Sequence, residues 1–135
     1  MTRVIAIVLY WLAAIVITLG AFGHGFVGVI PIRDAIEAST LPLDVTRPLW
    51  IVWYGTSLSM ITYGALLFWA WPALKAGSSS RSVPALIVGV FYLLTGVGAY
   101  VYSGGDGFWI MFIVLGMLAI GTTLFLGRGR DAGRA

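Results

Sequence analysis

Apolar positions in this chain neither alternate nor form a single stripe; they run together in four long blocks separated by short polar breaks. From Val4 to Phe22 no side chain is charged at neutral pH, and between Arg3 and Arg33 the one group that titrates near neutrality is His24. A helix rises about 1.5 Å per residue, so roughly 20 apolar residues cover a hydrocarbon core of about 30 Å. The pattern predicts helices over about 4–28, 48–72, 82–102 and 108–126, forming one four-helix domain that occupies 1–135. The expected fold class is therefore an all-α integral membrane protein, a bundle of four transmembrane helices.

Boundary residues sharpen these limits. Asp44 or Thr46 is a candidate N-cap for the second helix, with Pro48 in its first turn and Pro72 near its end, and Pro84 falls in the first turn of the third. Asp106 is the natural cap of the fourth, in a Ser103–Gly107 loop too short for anything but an antiparallel hairpin. Between the first two helices, Ile32, Ala35 and Ile36 alternate with Arg33, Asp34 and Glu37. This predicts a two-turn amphipathic helix starting at Pro31 on the outer surface, an irregular loop being the alternative. Ala76–Ser80 reads as a flexible linker between two hairpins. The apolar run after Arg3 is too long for a signal peptide and no A-x-A site follows, so the first helix is expected to be retained.

Composition agrees with lipid as the solvent: 60% of residues are hydrophobic, 10% are charged and the mean hydropathy is +1.00. The formal charge of +3 is no nucleic-acid signal, because the basic residues lie at the helix ends. One side collects Arg3, Lys75, Arg81, Arg128, Arg130 and Arg134 against Asp131, while the other has Arg33 and Arg47 against Asp34, Glu37, Asp44 and Asp106. Lys and Arg in short loops resist translocation, so the expected orientation in a bacterial inner membrane has both termini cytoplasmic. Trp50, Trp53, Tyr54, Tyr100, Tyr102 and Trp109 then form an outer aromatic belt, with Trp69 and Trp71 at the inner level.

The chain contains no Cys, Asn or Gln. That excludes thiol chemistry and thiolate metal sites, the paired cysteines of quinone-linked disulfide formers, and the pore asparagine of four-helix fluoride channels. In size and plan the chain is similar to the small multidrug exporters, but its first helix lacks the membrane-embedded glutamate those proteins use. Gly23-His24-Gly25-Phe26-Val27-Gly28 fits G-x-G-x-x-G, yet no strand precedes it, so it is not a phosphate-binding turn. Gly20, Gly28, Gly89, Gly96 and Gly116 are better explained as helix-packing positions, since small residues let membrane helices approach.

His24 falls about 30 Å along the first helix from Arg3, level with the outer aromatics, and one turn from Gly20 and Gly28. It is either a ligand or proton-bearing residue, or an interface histidine held by a Tyr or Trp. Span two carries a polar stripe of Thr56, Ser59 and Tyr63, with Ser57 and Met60 beside it. The stripe serves as interhelical glue or, with Trp53, lines a narrow cavity for an apolar molecule with a polar head. The candidate ligand-binding set is His24, Trp53, Thr56, Ser59, Tyr63, Tyr100 and Trp109. No catalytic or metal set stands out and no cofactor is predicted, although a bound lipid, quinone or pigment fits the outer end. A haem would have to pair His24 with Met60 or Met111, or with a second copy's histidine.

Three functional classes remain. The first is a non-enzymatic accessory or structural subunit that packs against other membrane subunits, a second copy or lipid. The second is a small oligomeric transporter or channel. The third is a quinone- or lipid-binding redox or enzyme component using His24 with Asp34, Glu37, Asp44 or Asp106 as the second group.

Overall fold

The computed structural model describes residues 1–78 and 82–127. Ser79, Ser80 and Arg81 of the linker and the basic tail with Arg128, Arg130, Asp131 and Arg134 lie outside the described residues. The described chain is all helical: α1 (Arg3–Phe22), α2 (Val29–Glu37), α3 (Leu43–Ala76), α4 (Val83–Tyr102) and α5 (Ile110–Gly127). Among the described residues four helical stretches are long and apolar enough to cross a membrane, the first being Arg3–Glu37 taken as one.

That first stretch is longer than its apolar run because α1 and α2 are joined by a π turn, Gly23–Val27. Its signature is the Gly28 N–H donating to Gly23 O at 2.8 Å, five residues back rather than four. The amphipathic segment expected from Pro31 begins earlier, at Val29, and continues from the π turn instead of forming a separate element. Pro31, the third residue of α2, is exposed.

α3 also outruns its expected limits. It starts at Leu43, after an extended Pro42, so Asp44 lies in the first turn rather than at the cap and Pro48 is inside the helix. Thr46 does not cap either; its hydroxyl donates back to Leu43 O at 3.4 Å. Pro48 and Pro72 are both exposed, so the carbonyls they leave without a partner face away from the core. The helix stops at Gly77, whose φ of 73° only glycine adopts readily, with the Ser78 N–H donating to Ala73 O and the Gly77 N–H to Leu74 O.

Packing runs around a ring: α1 lies against α3 and α5, and α4 lies against α5 and α3. The buried face of α1 is mostly small, with Ala6, Ala13, Ala14 and Ala21 between the larger Tyr10 and Ile17. Leu67, Ala70 and Leu74 of α3, Ala85, Val88 and Tyr92 of α4, and Leu115 and Leu126 of α5 complete the core. Tyr10 is fully buried, and its hydroxyl reaches across to donate to Leu67 O at 2.6 Å. α4 and α5 meet backbone to backbone, since a Cβ on Gly116 would stand 2.5 Å from Leu93 N and one on Gly96 2.7 Å from Ile113 N. The turn between these helices uses Gly104 and Gly105 at positive φ and an Asp106 side chain that accepts from the Phe108 N–H at 2.9 Å.

Candidate functional site

The π turn determines where His24 goes. An extra residue in the turn widens it, and His24 faces α3, where its Nδ1 lies 2.9 Å from Ser57 Oγ. Its ring stacks on the Trp53 indole with centroids 3.9 Å apart and planes 18° from parallel, while the Trp53 Nε1–H donates to the His24 carbonyl at 3.2 Å. Trp53 and Ser57 are four apart on α3 and therefore share a face. Two glycines make room for them. A Cβ on Gly25 would stand 3.2 Å from Ser57 Oγ, and one on Gly28 3.3 Å from the Trp53 ring.

The Ser57 hydroxyl also lies 3.4 Å from Trp53 O, so it bridges its own helix and the imidazole. The His24 side chain is half-buried. Trp53, Ser57 and His24 thus form a three-residue clamp in which α3 holds one imidazole by its ring face and by Nδ1.

The other candidate residues are placed elsewhere. Thr56 and Ser59 donate to Val52 O and Gly55 O, at 2.8 and 2.9 Å, within their own helix. Thr62 does the same to Leu58 O at 3.0 Å. Thr56, Thr62 and Gly55 are exposed, and a Cβ on Gly55 would meet nothing within 4 Å. Tyr63 packs on Phe91 and Tyr92 of α4 with centroids at 4.8 and 6.1 Å, whereas Thr56 and Ser59 bond within α3 and Trp53 stacks on His24.

Tyr100 and Trp109 belong to the α4–α5 end of the molecule. Trp109 stands against Phe108 and Phe112, both with centroids at 5.3 Å, and Tyr100 lies beside the Gly105 turn. Met60 is the neighbour of Gly20, its methyl 3.0 Å from where a Cβ on that glycine would stand. Gly89 faces Ile120 and Gly116 O. Of the acids, Asp34 and Glu37 lie 3.4 and 3.9 Å from Arg33, Asp106 caps its turn, and Asp44 opens α3. None of these acids is hydrogen-bonded to His24.

Sequence reasoning paired His24 with a Tyr or Trp in general terms but passed over Ser57 as a bystander of the hydroxyl stripe. The signal that singles it out is its position four residues after Trp53, beside a glycine-flanked histidine. Arranged in this way the clamp orients an imidazole and ties the turn after α1 to α3, and Trp53 and Ser57 bring no second titrating group. No family model matches the chain, and no curated protein or solved structure shows significant similarity to it.

Proposed function

We propose that this chain is a membrane-embedded, non-enzymatic accessory subunit that works by packing α3 against another transmembrane helix, with both termini on the cytoplasmic side. The observation that carries the reading is the outward position of Gly55 and Thr62, with the half-buried Ser59 beside them. At spacings of four and three these residues make one narrow seam on α3, flanked by the exposed Ile51, Leu58 and Trp69. Their hydroxyls are already satisfied by carbonyls one turn back, so they add smoothness and small size instead of a polar demand. Lipid chains gain nothing from such a seam, whereas a second helix can approach it closely. His24 supports the same reading, since its ring face, Nδ1 and carbonyl are all engaged by α3.

The chain has no cysteine of its own, which makes the test direct. A photo-crosslinking residue is placed at position 59, beside the exposed Thr62, in native membranes, with the exposed position 8 of α1 as the comparison. The expected product is a protein adduct of one discrete mass from position 59 and only lipid adducts from position 8. Lipid adducts alone from both positions, or loss of a measurable flux or turnover in His24→Ala while the chain stays assembled, would reject the subunit reading.

A further inference from the structure

We propose that the cleft where α1 begins and α3 and α5 end holds an anionic phospholipid, with Arg3 and Lys75 on its phosphate and Ile7 and Trp71 along one acyl chain. The cleft has a volume of about 450 Å3 and is lined by these residues, with Leu74 and Leu126 behind them. That volume lies within the range of pockets that hold small molecules, about 300–1,000 Å3.

Arg3 is not a loose surface charge. Its Nη2 donates to Lys75 O at 3.1 Å, which fixes the guanidinium at the carbonyl end of α3 and leaves its remaining N–H donors for another acceptor. Lys75 is exposed in the last turn of α3. The backbone bond thus gathers two cations at one opening. Among the described residues the acids lie at the other end of the molecule, in Asp34, Glu37, Asp44 and Asp106, and provide no counter-charge here. Two like charges held together repel, and a bound anion converts that cost into attraction.

A free anion would be matched by the cations alone; the walls point to an amphiphile. Leu74 and Leu126 are buried at the floor, and Trp71 forms a fixed side, stacked on Tyr10 at 5.7 Å and edge-on to Trp11 at 5.2 Å. Basic clefts between transmembrane helices are suited to anionic headgroups in this way. The net-neutral phosphatidylcholine brings its own cation towards Arg3 and Lys75 and is the disfavoured occupant.

This inference rests on the membrane insertion proposed above but not on the partner helix. The test reconstitutes the full chain into phosphatidylcholine vesicles containing a fixed fraction of phosphatidylglycerol, and places bromine on the acyl chains of one lipid at a time. Brominated phosphatidylglycerol should quench tryptophan emission more than brominated phosphatidylcholine at equal mole fraction. The excess should vanish in Trp71→Phe, and Lys75→Gln should weaken phosphatidylglycerol roughly fivefold, with Lys75→Arg restoring it. Lys75→Gln leaves the Arg3 bond to the residue 75 carbonyl in place, so it reports charge rather than folding. Equal quenching by the two lipids, an excess that survives Lys75→Gln, or its removal by inorganic phosphate would overturn the lipid site. A chain that floats with neither vesicle type would instead reject membrane insertion, and the site with it.

Discussion

The imidazole of His24 lies parallel to the indole of Trp53 while the same indole donates its N–H to the His24 carbonyl, so one tryptophan holds both the ring and the backbone of one residue. Side chain and main chain are thereby fixed by a single α3 residue, and Ser57 adds a third point of attachment. His24 is best viewed as a rivet between α1 and α3 whose strength can be measured.

Replacing His24 with Ala removes the stack and the Ser57 bond, worth together about 1–2 kcal/mol. His24→Phe retains the stack and should recover about half of the loss. Reversible unfolding of both variants in detergent micelles or bicelles checks the order wild type, Phe, Ala. If Phe is as damaging as Ala, the stack contributes nothing.

Gly116→Leu and Gly89→Leu should be far more disruptive. On Gly116 even the first carbon of a side chain would stand 2.5 Å from Leu93 N, and on Gly89 3.0 Å from Ile120 N and 3.1 Å from Gly116 O. A backbone contact cannot yield as a flexible side chain can, so a loss of about 3 kcal/mol or more is expected. Gly98→Ala and Gly121→Ala meet open space. They should be neutral or stabilise by up to about 1 kcal/mol through helix propensity. Thermal melts of the four variants in one detergent separate the two classes.

Gly64 and Thr18 form a coupled pair. A Cβ on Gly64 would overlap Thr18 Oγ1, which is itself held by a 2.8 Å bond to Ala14 O. Gly64→Ala should therefore destabilise by about 1–3 kcal/mol. Adding Thr18→Ala should restore part of that, since its remaining Cβ contact would be 3.1 Å. A double-mutant cycle with strictly additive losses would show that the two helices separate rather than clash.

The orientation has its own test. A reporter active only outside the cytoplasm, fused after Ala135, should be silent, and the same reporter inserted between Ala38 and Ser39 should be active. The reverse result would invert the proposed topology and place the acidic end of the molecule inside.

Much of the fold was legible because membrane-length apolar blocks leave few alternatives, and the Asp106 turn was visible in its glycines. The limits that moved were all at proline or glycine. Pro48 looks like a first-turn residue from sequence because helix interiors rarely accept it, yet five apolar and polar residues before it also wind into α3 at its exposed start. The π turn was invisible, since glycines flanking a histidine are equally consistent with a bend, a loop or close packing. The stripe of hydroxyls was visible but its direction was not. Thr56 and Ser59 bear a hydroxyl as Ser57 does, and only the rotation of α3 about its axis decides which one meets His24.

The π turn is a local device. One extra residue between Gly23 and Gly28 is taken up within the widened turn, so deleting it would restore an uninterrupted α-helical count and leave the following segment at nearly the same angle about its axis. Arg33, Asp34 and Glu37 would keep their facing, and the change would fall on His24 and its neighbours. A single codon thus decides how the histidine is presented without redirecting the charged segment beyond it.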